Sequence, residues 1–110
     1  MKQIKAGIVG GAGYTGGELL RLLVHHPHVK VSFIHSRSNA GKPVASVHHD
    51  LLGETKLHFT DKIDSHVDVM FLCMGHGESK KFLEENTIDD SVRIIDLSQD
   101  FRLEKGSKFH

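Results

Sequence analysis

The sequence carries no net charge. Its 110 residues hold fourteen Lys and Arg against fourteen Asp and Glu, so no overall field draws the chain to nucleic acid or to an anionic membrane surface. A small anionic ligand is still allowed, because local placement of charge does not show in the total. Long apolar runs are missing too. Residues 19–24, interrupted by Arg21, and residues 67–74, interrupted by Asp68, fall far short of the roughly 20 residues that a membrane span requires. There is one cysteine, Cys73, which cannot close an internal disulfide and has no CxxC partner for zinc, in keeping with a reducing compartment. The start, Met1-Lys2-Gln3-Ile4-Lys5, shows neither an apolar signal core nor an Arg-rich amphipathic presequence, so the expected location is cytoplasmic.

What is present is an alternation of strand and helix patterns. Hydrophobic residues make up 38% of the chain, enough for one core, and a single domain is expected. Residues 4–9 read as a short apolar strand. A glycine run over residues 10–17 separates it from an amphipathic segment at 18–26, where Leu19, Leu22 and Leu23 share a face broadened by Leu20 and Val24, the wide stripe of a helix lying flat on a sheet. Pro27 stops that helix with His26 in its last turn, and residues 29–35 resume as a second strand, completing a βαβ unit. A polar stretch follows at 36–53, with a short helix expected near 43–49 and a strand at 56–60. Residues 67–74 form the strongest strand, almost continuously apolar like an interior parallel strand covered on both faces. A helix at 78–86 with Phe82 and Leu83 inward and a strand at 92–97 complete the pattern. Strands alternating with helices predict an α/β, doubly wound parallel sheet of the Rossmann type with right-handed crossovers. Residues 103–110 are polar and lack a terminating helix; the expectation is an incomplete domain from a longer two-domain enzyme.

The segment Gly10-Gly11-Ala12-Gly13-Tyr14-Thr15-Gly16 satisfies GxGxxG from Gly11 and GxxGxxG from Gly10, between a strand and a helix. That context is where a diphosphate meets free amides at a helix start, which it can reach only if no side chain blocks the backbone. A Cβ at Gly13 would obstruct it, and Gly16 is expected to let the helix pack closely on the sheet. The alternative is a glycine-rich turn without a ligand. A P-loop is excluded because no GK[ST] follows.

At the end of the second strand of this fold, an Asp or Glu binds the ribose 2'-hydroxyl of NAD. None is present: the sequence reads His35-Ser36-Arg37-Ser38, at the expected distance of about 20 residues after the last glycine. A guanidinium flanked by two hydroxyls suits a 2'-phosphate instead, and so NADP. Charge-assisted hydrogen bonds of this kind contribute roughly 1.5–3 kcal/mol, or roughly tenfold to over a hundredfold in preference. An exposed arginine with no ligand is the plain alternative.

The loop extended to Leu19, together with Asp96-Leu97-Ser98-Gln99-Asp100-Phe101-Arg102, closely resembles the N-acetyl-gamma-glutamyl-phosphate reductase family of arginine biosynthesis, which is similar in plan to aspartate semialdehyde dehydrogenase. The likeness spans essentially all of this chain and the first third of such an enzyme. It implies that an enzyme cysteine displaces phosphate from a small-molecule acyl phosphate, that NADPH reduces the thioester to a semialdehyde, and that the full-length enzyme is a homo-oligomer. The resemblance places that cysteine and its histidine base outside these residues, so no catalytic residue is assigned. Cys73 and Met74 depart from the family's small residue and proline at this point, while Gly75 and His76 keep the turn. With Met74 and Ser98 they are expected to line the cofactor crevice. Arg102, in a motif whose counterpart in related dehydrogenases holds the substrate phosphate, is either a phosphate fork or a salt bridge to Asp96 or Asp100. Cys73 itself reads as a packed, neutral thiol.

Five of the ten histidines, His25, His26, His28, His48 and His49, are dense enough to raise the question of a metal. Their spacing offers no recognisable ligand set, so they read as solvated loop histidines, with no metal site. Two rival functions stand beside the reductase: a related semialdehyde dehydrogenase of another amino-acid pathway, and a nucleotide-binding module without catalysis.

Overall fold

The apolar segment Ile4–Val9 forms β1, buried over its last four residues, and every other strand is arranged around it. A computed structural model describes residues 3–64, 66–74 and 77–97. In chain order these give β1, helix α1 (Tyr14–Val24), β2 (Val29–His35), two single-turn 3-10 segments (Val44–Ser46 and His49–Leu51), β3 (Phe59–Thr60), β4 (Val69–Leu72), α2 (Glu78–Glu85) and β5 (Arg93–Asp96). The five strands form one parallel sheet in the order β3-β2-β1-β4-β5. The chain therefore builds outward from β1 to β3 on one side, then returns to the other side of β1. That reversal leaves a crevice at the carboxyl ends of β1 and β4, the topological switch point of an open α/β sheet.

Alternation along the strands divides the core into two layers. Ala6, Ile8, Ile34 and Val69 pack under Leu20 and Leu23 of α1 together with Val44, Leu51 and Phe59. Val9, Phe33, Met70 and Leu72 form the opposite layer with Phe82 of α2. Both faces of the sheet are thus covered, which explains the apolar run over the last four residues of β1 and the whole of β4. Between β1 and β2 the register slips: Ala6 pairs with Val31, but Gly7 pairs with Phe33.

Several expected boundaries move. Helix α1 starts four residues earlier than the amphipathic pattern, at Tyr14, and stops at Val24 rather than His26. Gly16 and Gly17 are helical despite glycine's poor propensity, and a Cβ on either would stand 2.7 Å from a neighbouring atom, so close packing accounts for glycine at both positions. Leu22, expected inward, is 71% exposed, as Leu20 and Leu23 occupy the sheet-facing stripe. Leu83 is likewise exposed beside buried Phe82. The expected helix near 43–49 is two separate 3-10 turns, and the strands at 56–60, 67–74 and 92–97 shrink to the residues that find ladder partners. Among the described residues no helix is long and apolar enough to cross a membrane.

Candidate functional site

The turn after β1 is shaped by its glycines. Gly10 has φ +82°, the left-handed region that glycine enters without a steric penalty. A Cβ there would stand 2.8 Å from Met74 Cγ and 3.1 Å from the Cys73 carbonyl carbon. Gly10 and Gly11 both donate their N–H to the carbonyl of His35 at 3.0 Å, which ties the turn to the end of β2. A Cβ on Gly16 would lie 2.7 Å from Gly11 Cα and 2.9 Å from the Gly10 carbonyl oxygen. The close approach at Gly16 is therefore between α1 and its own entry loop rather than between α1 and the sheet.

Gly13 is different. It is the N-cap of α1, with φ −84° and ψ −179°, and among the described residues, its two chain neighbours apart, no atom lies within 4 Å of where its Cβ would be. Among the described residues no side chain caps the helix, and no acidic residue stands in its first turn, so the first N–H groups lack there the partners that helix starts normally acquire. The loop thus presents bare amides beside an open space that any side chain at position 13 would enter. Those are the conditions for receiving an anion.

A cavity of about 810 Å³ opens at this point. Its lining brings Gly10, Ala12 and Gly13 together with Ser36, Arg37, Ser38 and Met74 of the expected cofactor set. Tyr14, Thr15 and Gly16 are not part of that lining; Tyr14 is 81% exposed, and Gly16 is buried beneath the loop. Ser36 is buried, and its hydroxyl accepts from Asn39 Nδ2 at 3.3 Å, so Arg37 and Ser38 are the exposed members of that trio. Among the described residues Arg37 forms no ion pair. Gly75, His76, Ser98 and Arg102 lie outside the described residues.

Sequence reasoning missed several of the cavity's residues. His35 lines it, with its ring set edge-on to Phe82 at 6.1 Å between centroids. Burial, and after it the Arg37 charge, hold the His35 imidazole below its ordinary range, which favours the neutral ring. Lys81, on the exposed side of α2, adds a second cation to the lining. Amphipathic periodicity marks Lys81 as solvent-facing and gives no sign of which cavity it borders. His48, read as a solvated loop residue, is instead 8% exposed, and its Nε2 lies 2.7 Å from the Gly11 carbonyl oxygen. Among the described residues no three His, Cys, Asp or Glu side chains converge on a common point that could hold a metal ion.

Cys73 borders the cavity and packs against the α1-side core. Burial, and after it the Asp96 charge, push its thiol up to about 11. At pH 8 such a thiol is about 0.1% thiolate, against roughly a quarter for a free cysteine. Iodoacetamide is expected to label Cys73 on the order of a hundredfold more slowly than free cysteine at pH 8, followed by mass spectrometry. Labelling at the free-cysteine rate would mean an activated thiol, contrary to its surroundings.

Residues 5–108 match the family described as semialdehyde dehydrogenase, NAD binding domain. Among curated relatives, a protein named N-acetyl-gamma-glutamyl-phosphate reductase from Christiangramia forsetii is 55% identical over 100 residues, covering 91% of this chain and 31% of that protein. One of the same name from Flavobacterium johnsoniae is 51% identical over 106 residues, covering 96% and 33%. The chain thus spans about a third of the length of these relatives. Among solved structures, aspartate semialdehyde dehydrogenase with NADP from Candida albicans shares the fold with a TM-score of 0.70 at 18% identity, covering 94% of this chain and 32% of that one. With the 3-2-1-4-5 strand order and the glycine turn at its switch point, the chain belongs to the semialdehyde dehydrogenase NAD-binding domain family.

Proposed function

We propose that this chain is the NADP-binding part of an N-acetyl-gamma-glutamyl-phosphate reductase, which reduces an acyl phosphate to a semialdehyde in arginine biosynthesis. The observation that carries the cofactor reading is one cavity whose lining includes both bare Gly13, at a helix start without a side-chain cap, and Arg37, whose guanidinium forms no ion pair among the described residues. The first suits a diphosphate and the second a ribose 2'-phosphate, the group that distinguishes NADP from NAD. When bound, the coenzyme supplies the hydride. The chain's own residues hold and orient it: the amides of the glycine turn for the diphosphate, Arg37 with Ser38 for the 2'-phosphate, and Met74 with Cys73 along the floor where β4 ends.

The relatives at 51–55% identity support the reductase over a dehydrogenase of another pathway. In this reading residues 1–110 belong to the cofactor domain, and the nucleophilic cysteine and histidine base come from the remainder of the full-length enzyme. The raised Cys73 thiol is consistent with that division. Of the residues outside the described ones, we assign Arg102 to the substrate phosphate, Ser98 to the nicotinamide and Gly75 and His76 to the coenzyme. We further assign the enzyme to the cytoplasm as a homo-oligomer; the one cysteine of these 110 residues, free in the structure, fits a reducing compartment.

Arginine 37 provides the test. In fluorescence titrations of the chain with NADPH and NADH, Arg37→Ala is expected to weaken NADPH by roughly tenfold to a hundredfold and leave NADH within about twofold. Equal weakening of both coenzymes would remove the 2'-phosphate from Arg37.

A further inference from the structure

Gly11 is held from two directions. Its N–H donates to the carbonyl of His35 at 3.0 Å, and its own carbonyl oxygen lies 2.7 Å from His48 Nε2. A carbonyl only accepts, so His48 Nε2 carries a proton and donates it, which fixes the ring's orientation. The ring is clamped as well. It lies so near Gly17 that a Cβ there would come 2.7 Å from His48 Cε1, and it stands edge-on to Phe59 at 6.2 Å. Its backbone is fixed by His48 N–H to the Val44 carbonyl at 2.9 Å and by Leu51 N–H to the His48 carbonyl at 2.9 Å. Asp50, two residues on, accepts from Arg21 of α1, which links the 3-10 segment to the helix.

The consequence follows from peptide geometry. In a trans peptide the carbonyl of one residue and the N–H of the next lie in one plane and point in opposite directions, and among the described residues there is no cis peptide bond. Drawing the Gly11 carbonyl toward His48 therefore turns the Ala12 N–H the other way. Ala12 lines the cavity, and among the described residues its N–H has no backbone or side-chain acceptor.

We propose that His48 is a positioning residue of the coenzyme site: by holding the Gly11 carbonyl it aims the Ala12 amide at the diphosphate. This rests on the dinucleotide reading of the cavity. His48 touches no ligand; it acts through one peptide plane, and its loss frees that plane to rotate. Glutamine can place an amide N–H near the position of imidazole Nε2, whereas leucine fills space without a donor.

The experiment compares His48→Leu and His48→Gln, each titrated with NADPH and with adenosine 2'-monophosphate, which has the 2'-phosphate but no diphosphate. His48→Leu is expected to weaken NADPH about tenfold with no change for the monophosphate, and His48→Gln to recover most of the loss. Equal weakening of both ligands, or no rescue by glutamine, would reduce His48 to a packing residue and overturn the proposal. Imidazole ¹⁵N–¹H correlation spectra of the unsubstituted chain give a second decision that does not depend on the variants folding. The expected result is a proton on Nε2 and an Ala12 amide resonance that moves on adding NADPH. A proton on Nδ1 alone, or a still Ala12 resonance, overturns the proposal. If the unsubstituted chain binds no NADPH, the coenzyme reading fails and takes this role with it. If it binds and His48→Leu binds equally well, only the His48 role fails.

Discussion

Gly13→Val is expected to lower NADPH affinity by ~100-fold or more, measured by fluorescence or calorimetric titration, while changing stability by less than ~1 kcal/mol in thermal or urea unfolding. The two halves of that result have separate causes. At φ −84° and ψ −179° the backbone of residue 13 is extended, a conformation open to any residue, and among the described residues, its two chain neighbours apart, no atom stands within 4 Å of the new Cβ. The fold therefore does not need glycine here, and the only cost is exchanging a glycine for a poorer N-cap residue. The coenzyme does need it, because the branched side chain fills the approach to the first amides of α1. Each charge-assisted bond to phosphate contributes about 1.5–3 kcal/mol, and losing two of them accounts for the expected drop. Gly16→Ala makes the contrasting case: its Cβ meets the backbone of Gly10 and Gly11 below 3.0 Å, so fold and binding should suffer together. Unchanged NADPH affinity in Gly13→Val would mean that the diphosphate lies elsewhere, and the coenzyme reading would lose its main support.

The glycine turn was legible in the sequence because the constraint it answers is local. A strand, a turn that admits φ +82° at Gly10 and a helix start occupy a dozen consecutive residues, and their spacing records the geometry directly. Residues 29–35 were legible for the same reason, with Pro27 marking the break before them. What the sequence concealed depends on contacts across the fold. Gly16 and Gly17 look like a helix start delayed to residue 18, yet the loop and the His48 ring lie where their side chains would be, so the helix runs through them. Leu22 and Leu20 are both apolar neighbours on one turn, and only the position of the sheet decides that Leu20 is buried and Leu22 exposed. His48 meets Gly11 over a separation of 37 residues; one histidine among five in polar stretches carries no local mark of that contact. Strand lengths were overestimated because hydrophobicity reports burial, whereas a strand ends where its partner does. Leu57 and Cys73 are partly buried against the core without lying in a ladder.

The slip in register beside the turn gives the second large effect. Gly7 pairs with Phe33 just after the irregularity at Ala6, and a Cβ on Gly7 would stand 2.2 Å from Phe33 Cε2 and 2.3 Å from Cζ. The ring thus lies over the backbone of β1, in the layer formed with Val9, Met70, Leu72 and Phe82. Phe33 is 6% exposed, so Phe33→Ala should cost about 3–5 kcal/mol in urea unfolding as the ring leaves a cavity. Gly7→Ala should cost about 1–3 kcal/mol for the opposite reason, since the ring must move within a filled layer. Because both effects arise from the same few ring atoms, they should not add. In a Phe33→Val background, which lacks Cε2 and Cζ, Gly7→Ala should be close to neutral, giving a coupling of about 1–3 kcal/mol in the double-mutant cycle. Additive costs would show that Gly7 is required for backbone conformation instead, and that the ring contact is incidental. The coupling also reaches the coenzyme site: β1 runs only two residues past Gly7 before the turn at Gly10. The same Phe33 layer includes Phe82, the cavity residue against which His35 rests. A displaced Phe33 ring should therefore weaken NADPH binding in Gly7→Ala, and Phe33→Val should restore it in step with stability.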